Sequence, residues 1–125
     1  MNIPNTLKYT SSHEWCKIDG NIATVGLSDY AQSELGDIVF LSLPAIGTEI
    51  KAGGTLLTIE AVKTVADMYS PVSGKIVDAN TALDSDPQKI NQDCYGDGWV
   101  VKVEMSDPSE VGKLMDASVY ETTLH

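Results

Sequence analysis

The chain has 125 residues, of which 42% are hydrophobic and 21% charged, and its 18 acidic against eight basic side chains give a formal charge of −10. This length and composition predict a single globular domain over residues 1–125 and exclude a disordered chain. The negative charge repels phosphate backbones and anionic lipid surfaces, so neither nucleic acid nor a membrane is an expected partner. It suits either steered docking to proteins with basic faces or plain solubility. We expect a monomer.

The amino-terminal part predicts a β-hairpin. Residues 15–18 and 22–25 flank Asp19-Gly20-Asn21, and Asp-Gly between two alternating segments is a strong signal for a tight turn. Before these strands, residues 1–5 have neither the charged nor the apolar region of an export signal. We therefore expect the protein to stay in the cytoplasm.

A short helix and a strand are predicted next. Ser28 can cap a helix that runs through Leu35, and Gly36 can end it in a left-handed conformation that only glycine adopts without strain. Residues 38–43 form a mainly apolar run that ends at Pro44. This pattern predicts a buried strand.

The longest run without glycine or proline covers residues 55–70. It exceeds the roughly 5–6 residues of a typical strand, so it must either fold back on itself or form a helix. Apolar residues at helical spacing, such as Ala61 and Val65, allow the helix. The Thr and Val content favours a hairpin, as does the extended geometry that Pro71 imposes on Ser70.

Lys63 lies near the midpoint of this run, at the tip of the predicted hairpin. A type I turn with Val62 and Lys63 at its centre is expected, since this turn tolerates most residues. A lysine presented on a bend between short or β-branched neighbours suits the attachment of a prosthetic arm, although an ordinary surface lysine is the other interpretation. The predicted cross-strand pairs are Ala61 with Thr64 and Ile59 with Ala66.

Two weakly similar segments flank the hairpin. Residues 47–54 predict a short edge element and a turn, and residues 73–80 repeat part of their pattern. Similar elements on both sides of Lys63 suggest a quasi-symmetric sandwich. Further on, Asp86-Pro87 is expected to start a short helix toward Ile90. Residues 96–98 predict a turn and residues 99–105 the last strand.

The carboxyl-terminal residues 107–125 predict a helical extension packed on the β domain. Residues 107–110 match a capping box, with Asp107 as the N-cap, a proline in the first turn and Glu110 as the reciprocal partner. Asp116 can cap a second short helix through Leu124.

No catalytic constellation is found in the sequence. The histidines are His13 and His125, which argues against a multi-histidine metal site; His13 is interpreted as a surface or packing residue. Cys16 and Cys94 are expected to be reduced thiols. The acidic residues of 84–93 lack the spacing of a calcium loop. An acidic β domain with one unusual lysine points to a carrier or a binding module rather than an enzyme.

Several longer motifs are spread along the chain: residues 12–15 (Ser-His-Glu-Trp), 25–32, 35–40, 60–64, 67–74, 95–99 and 106–110. Together these motifs resemble the H protein of the glycine cleavage system. They cover nearly the whole chain in the family's order, which is far more specific than a lone lysine motif. Ala61 and Thr64 stand where serine and alanine are more usual; both changes are small, so modification is expected to survive them.

The resemblance implies a mainly β, hybrid barrel-sandwich fold of the lipoyl- and biotinyl-carrier type, with short helices. It implies that Lys63 is amide-linked to (R)-lipoate and that the protein is a non-catalytic carrier of an aminomethyl group. The implied partners are a pyridoxal-phosphate glycine decarboxylase, a folate-dependent aminomethyltransferase, a dihydrolipoyl dehydrogenase, and a lipoate ligase or octanoyltransferase.

The same resemblance assigns roles to four further residues. Ser12, Glu14 and Asp67 would line a cleft that shelters the loaded arm, with the carboxylates facing its ammonium group. Glu60 would help the attaching enzyme find the hairpin. The alternative is structural: Ser12 and Glu14 would then cap a strand or face solvent, and Asp67 would be the polar side of an alternating strand.

Two related carriers fit less well, and two other functions stay open. Biotin carrier domains flank their lysine with methionines, where this chain has Val62 and Thr64. Lipoyl domains of 2-oxoacid dehydrogenases have an aspartate before the lysine and lack the Trp15 segment and the helical tail. The other functions are an H-like protein that mainly relays octanoyl or lipoyl groups, and an unmodified interaction module.

Overall fold

The computed structural model describes residues 1–124 as two antiparallel sheets with short helices. Within these residues no helix is both long and apolar enough to span a membrane. The strands are β1 (Lys8–Tyr9), β2 (Glu14–Asp19), β3 (Ile22–Leu27), β4 (Ile38–Leu41), β5 (Glu49–Ile50), β6 (Thr55–Ala61), β7 (Val65–Tyr69), β8 (Gly74–Ala79) and β9 (Val101–Met105). The helices are α1 (Asp29–Leu35), α2 (Ala82–Ser85), α3 (Lys89–Gln92), a 3₁₀ helix (Pro108–Lys113) and α4 (Ala117–Thr122).

The six-stranded sheet has the order β1-β2-β3-β9-β8-β5, and the three-stranded sheet has the order β4-β6-β7. Buried side chains of both sheets belong to one apolar cluster, for example Val25 and Val103 of the larger sheet with Ile59 and Met68 of the smaller. Two sheets that bury a shared apolar layer form a sandwich. The predicted mainly β class with short helices is confirmed.

The first hairpin and the first helix are confirmed. β2 and β3 pair up to Asp19 opposite Ile22, and Gly20 in the turn has a φ of +60°, a value that glycine adopts without strain. Ser28 accepts a hydrogen bond from the Ala31 N–H at the start of α1, and Gly36 ends this helix with a φ of +77°.

The predicted strand over residues 38–43 is shorter and less buried than expected. β4 ends at Leu41, and Val39 and Phe40 are 50% and 54% exposed. The pairing of β4 with β6 shifts register between Ile38 and Phe40. Such a bulge re-aims side chains, so two successive residues face outward.

The two similar segments that flank the Lys63 hairpin pair with each other. β5 lies at the edge of the larger sheet, as predicted, with Glu49 opposite Lys75 and Ile50 opposite Gly74 of β8. Their pairing places the segment before the hairpin and the segment after it side by side, so both ends of residues 55–70 are anchored near one another.

The prediction that a helix starts at Asp86-Pro87 is wrong. The chain forms α2 before this pair and α3 after it, and Pro87 lies in the connecting turn, where its carbonyl accepts the Ile90 N–H. The turn at residues 96–98 is confirmed. The last strand begins at Val101 rather than at residue 99.

The capping box at residues 107–110 is only half formed. Asp107 accepts from the Ser109 N–H, but a 3₁₀ helix follows. Glu110 does not reach back to Asp107; it accepts from the N–H and the hydroxyl of Ser73 at 2.7 and 2.8 Å. A distant donor pair therefore replaced the local one. Asp116 caps α4 as predicted by accepting from the Val119 N–H.

A second apolar cluster joins the carboxyl-terminal segment to the larger sheet. Tyr9 and Tyr120 are both fully buried, and their rings stack in parallel with centroids 4.5 Å apart. Tyr9 also exchanges two backbone hydrogen bonds with Met115. Trp15 and Leu7 complete the cluster. Helix α4, which ends at Thr122 rather than at the predicted Leu124, packs here; residue 125 lies outside the described chain.

Candidate functional site

The hairpin prediction for residues 55–70 is confirmed. β6 and β7 pair in antiparallel fashion with Ile59 opposite Ala66, and the Ala61 N–H donates to the Thr64 carbonyl at 2.8 Å to close the bend. The β-branched residues of this run favour pleated over helical geometry. Lys63 is exposed at the tip, where an enzyme can approach its amine.

The outer face of the hairpin carries Glu60. This residue is exposed and lies opposite Phe40 of β4 on one side and Val65 of β7 on the other. Val65 and Val62 are 60% and 68% exposed. The surface beside Lys63 is therefore a carboxylate surrounded by accessible apolar side chains, and Glu60 does not line the cleft described next.

A cleft of about 180 Å³ lies against the hairpin. The three residues expected to shelter an arm, Ser12, Glu14 and Asp67, are all in its lining. Lys63 comes three residues before Ala66, which also lines the cleft. A fully extended chain of that length spans about 10 Å. The remaining lining residues are His13, Leu27, Tyr30, Ala31, Glu34, Leu35 and Ile59.

Glu14 is a buried carboxylate with only 1% of its surface exposed. Its Oε1 accepts from the hydroxyls of Thr10 and Ser12 at 2.7 and 2.6 Å, and its Oε2 accepts from the Tyr69 N–H at 3.1 Å. None of these donors is a cation. Burial raises the pKa of Glu14, and the three hydrogen bonds oppose that shift. The alternative in which Glu14 faces solvent is wrong, because the side chain is buried and its hydrogen bond to Tyr69 joins β2 to β7.

Asp67 and Ser12 lie nearer the surface than Glu14. Both are exposed, and Asp67 accepts from the Thr58 hydroxyl at 2.9 Å across the hairpin. The cleft thus has one carboxylate in its interior, Glu14, and two exposed ones in its lining, Asp67 and Glu34. Such a gradient suits a small cation that enters from solvent, because Coulomb attraction strengthens as water is excluded.

His13 lies in the cleft wall, a placement that the sequence did not indicate. It is the only non-glycine residue among 1–124 with a positive φ, at +74°. Its ring contacts Tyr30 at 4.6 Å between centroids, and burial lowers its pKa. The packing interpretation of His13 is confirmed. A positive φ at a histidine has no local sequence signal as plain as Gly or Asn-Gly.

Two further features of residues 1–124 are a pair of buried thiols and a second groove. Cys16 and Cys94 are free and buried, and burial raises the pKa of each thiol to about 12, which makes thiolate chemistry unfavourable near neutral pH. Residues 1–124 contain no cluster of three His, Cys, Asp or Glu that could hold a metal. A larger groove of about 600 Å³ runs along β5, β8 and β9, but none of the predicted site residues lines it.

The residues present fit a lysine-linked acyl arm. The amine is exposed, the nearby cleft has an apolar part formed by Leu27, Leu35 and Ile59, and a buried acceptor stands among neutral donors. An arm that folds back from the tip would place its carbon chain on the apolar part and its end near the carboxylates.

Comparisons with known proteins agree with this geometry. A family model described as glycine cleavage H-protein matches residues 7–125. The glycine cleavage system H protein of Symbiobacterium thermophilum is 49% identical over 120 residues, which cover 96% of this chain and 94% of that protein. That of Bacteroides thetaiotaomicron is 46% identical over 125 residues, covering 100% and 99%. The crystal structure of the H protein from Mycobacterium marinum superposes with a TM-score of 0.88 at 40% identity, covering 96% of this chain and 97% of that one. These matches confirm the resemblance and the fold class predicted from the motifs.

Proposed function

Because this chain belongs to the glycine cleavage H-protein family, we propose that it is the lipoylated carrier of that system, with Lys63 as the attachment residue. Residues 1–125 would act as one carrier domain. The observation that carries the proposal is an exposed lysine on a hairpin tip, three residues along the chain from Ala66 in the wall of a cleft that contains a buried carboxylate. An unmodified interaction module needs neither feature.

Acylation of Lys63 would remove its charge and create a flexible tether. Lipoate, when bound, supplies a dithiolane that accepts the aminomethyl group derived from glycine. The dithiol that remains after unloading is then reoxidised. The protein itself supplies no catalytic group in this proposal. Its residues present the amine to the attaching enzyme, and they bind and dehydrate the end of the arm between partner enzymes.

Ser12, Glu14 and Asp67 would bind the cargo. An aminomethyl group carries an ammonium at neutral pH, and a charge-assisted hydrogen bond to a carboxylate is about twice as strong as a neutral one. Asp67 at the opening would attract the cation, and Glu14 in the interior would receive it as water leaves. Water exclusion suppresses hydrolysis of the cargo. Glu60 on the outer face would contact the attaching enzyme instead.

The proposed partners follow from these steps. A pyridoxal-phosphate glycine decarboxylase loads the arm, a folate-dependent aminomethyltransferase unloads it, and a dihydrolipoyl dehydrogenase reoxidises it. A lipoate ligase or octanoyltransferase modifies Lys63. The acidic surface, with its formal charge of −10, would steer docking to basic faces on these enzymes.

Intact mass spectrometry tests the attachment site. After incubation with lipoate, ATP and a lipoate ligase, the wild-type protein is expected to gain one lipoyl increment. Lys63→Arg, the matched control, is expected to gain none while keeping its unfolding free energy within about 0.5 kcal/mol, as for an exposed residue. An increment that persists in Lys63→Arg would refute the assignment.

Glycine-dependent loading tests the role in glycine cleavage. Lipoylated protein is incubated with glycine decarboxylase and glycine, and the expected results are glycine-dependent release of carbon dioxide and an aminomethyl mass increment on the carrier. An H-like protein that only relays octanoyl or lipoyl groups would accept the acyl group and show neither. An unmodified interaction module would fail at the preceding acylation step.

A further inference from the structure

Three polar side chains from distant parts of the chain meet beside the cleft. The Tyr120 hydroxyl on α4 lies 2.7 Å from Ser28 Oγ and 2.9 Å from His13 Nδ1. Tyr120 and Ser28 are fully buried, whereas His13 lines the cleft. One hydroxyl of the carboxyl-terminal helix therefore bonds to two separate elements of the cleft wall.

Each partner of Tyr120 belongs to a different wall. His13 lies between two of the proposed cargo ligands, Ser12 and Glu14. Ser12 is in the loop before β2, and Glu14 is the first residue of that strand. Ser28 caps α1 by accepting the Ala31 N–H, and α1 contributes Tyr30, Ala31, Glu34 and Leu35 to the lining. The Tyr120 hydroxyl thus adds a side-chain link between the ligand-bearing loop and the start of α1, where the His13 carbonyl also accepts the Ser28 N–H at 3.0 Å.

The donors and acceptors of this trio define one fully bonded arrangement. Ser28 accepts the Ala31 N–H and donates to Tyr120, and Tyr120 donates to His13 Nδ1. If the direction were reversed, His13 would donate to Tyr120 and Tyr120 to Ser28. The Ser28 hydroxyl proton, which is fully buried, would then have no acceptor, an arrangement that native structures avoid. His13 must then be neutral with its proton on Nε2, in accord with the lowering of its pKa by burial.

The hydrogen bond between Tyr120 and His13 holds a residue whose backbone has a positive φ. A non-glycine residue in the left-handed region persists when its surroundings hold it there. The backbone bonds at His13 are its N–H to the Thr10 carbonyl and its carbonyl to the Ser28 N–H, at 3.1 and 3.0 Å. The Tyr120 hydroxyl is the hydrogen-bond partner of its ring. Loss of that partner would leave the ring held by packing alone, against the rings of Tyr30 and Tyr120.

We infer that Tyr120 is a positioning residue for cargo shelter: its hydroxyl fixes the orientation of the His13 ring in the cleft wall between Ser12 and Glu14, and that orientation keeps water out of the loaded cleft. This inference rests on the proposed function, since it assumes that the cleft receives the aminomethyl group. It assigns the carboxyl-terminal helix a part in carrier function beyond packing.

Tyr9 supplies a matched control. It stacks on Tyr120, is equally buried, and its hydroxyl makes one hydrogen bond, to the Pro4 carbonyl at 2.6 Å. Tyr9→Phe and Tyr120→Phe therefore remove the same group from the same stacked pair. They differ in that only the Tyr120 hydroxyl contacts the cleft wall.

The experiment measures how fast the loaded carrier loses its cargo. Water cleaves the carbon–sulfur bond of the aminomethyl arm to give the free thiol, formaldehyde and ammonium, so ammonium release after removal of the decarboxylase reports the rate. Tyr120→Phe removes hydrogen bonds to both Ser28 and His13. It is expected to accelerate release about fivefold, the scale of losing the one bond that holds the His13 ring. Tyr9→Phe is expected to stay within about twofold of wild type. Equal acceleration in both variants, or none in Tyr120→Phe, would overturn the inference.

A second measurement needs no arm. In unlipoylated protein, ¹⁵N NMR of the His13 ring is expected to show Nδ1 as an acceptor in wild type and in Tyr9→Phe, and a changed or exchanging tautomer in Tyr120→Phe. An unchanged His13 ring would overturn the inference whatever the loading result. Failure of wild-type protein to load at all would instead count against the proposed function, and the NMR result would still decide whether Tyr120 positions His13.

Discussion

The two ends of the β6–β7 hairpin differ in how strongly their surroundings hold them. At the tip, Lys63 is exposed and its neighbour Val62 is 68% exposed. At the base, the Tyr69 N–H donates to Glu14, a carboxylate that also receives two hydroxyl hydrogen bonds and is 1% exposed. The residue proposed for modification thus lies at an exposed bend, whereas the residue proposed to protect the cargo is buried and held by three hydrogen bonds.

This difference has a physical reason. An attaching enzyme must enclose the lysine, so the tip must leave its own packing at little cost. A sheltering carboxylate must stay in place while its ligand comes and goes, because preorganised groups lose less free energy to reordering. The comparison predicts that substitutions at the base change stability and cargo retention, whereas substitutions at the tip leave the unfolding free energy nearly unchanged.

The largest effect is expected for Glu14→Ala. It removes three hydrogen bonds and leaves the Tyr69 N–H and two hydroxyls without their acceptor, so the unfolding free energy should fall by about 2–4 kcal/mol. Urea unfolding measures the change. Glu60→Ala, an exposed glutamate on the same hairpin, is the control and should stay within about 0.5 kcal/mol. Equal losses in both variants would break the comparison.

Glu14→Gln should have a smaller effect on stability, because its amide can keep the hydrogen bond to the Tyr69 backbone. With its oxygen toward Tyr69 N–H, the NH₂ group faces the hydroxyls of Thr10 and Ser12, which can accept as well as donate. The expected loss is about 1 kcal/mol. Hydrogen exchange of the Tyr69 amide should remain slow, while ammonium release from the loaded carrier should accelerate. Retained cargo would show that charge at Glu14 is not needed.

Protonation of Glu14 provides a further test that the base of the hairpin holds this carboxyl in a buried environment. Burial raises its pKa above the ordinary 4.5, so the folded protein binds this proton more tightly than the unfolded chain. The stability from this group is fully present below 4.5 and is lost as pH rises through the raised pKa. Carboxyl ¹³C NMR of Glu14 should therefore titrate above 4.5. Asp107 and Asp116, whose hydrogen bonds lower their pKa, should titrate in the opposite direction from their ordinary values. A Glu14 midpoint at or below its ordinary value would contradict this assignment.

The tip could be predicted from the sequence because its signals are local. A run without glycine or proline, rich in β-branched residues and ended by Ser70-Pro71, contains enough information to place a bend near Lys63. The same holds for the caps at Ser28 and Asp116. Each depends on residues within a few positions of one another, where propensity and hydrogen-bond geometry decide the outcome.

The base could not be predicted in this way, because its partners are far apart in the chain. Glu14 and Tyr69 are 55 residues apart, and His13 and Tyr120 are 107 apart. The family resemblance named Glu14 as a cleft residue but gave no reason to expect its bond to Tyr69. Glu110 illustrates the competition: its local capping partner lost to Ser73, 37 residues away.

The smallest effect is expected for Val62→Asn at the tip. Asparagine suits turns because its side chain can hydrogen-bond the local backbone, so the unfolding free energy should change by no more than about 0.5 kcal/mol. Lipoylation of Lys63 should proceed fully, as judged by intact mass. The matched control is Val72→Asn, the same substitution at a fully buried valine just beyond the hairpin base, where burying an amide should cost about 1–3 kcal/mol. A loss above about 1 kcal/mol for Val62→Asn would mean that the tip is held by its packing, and the contrast between a free tip and a fixed base would fail.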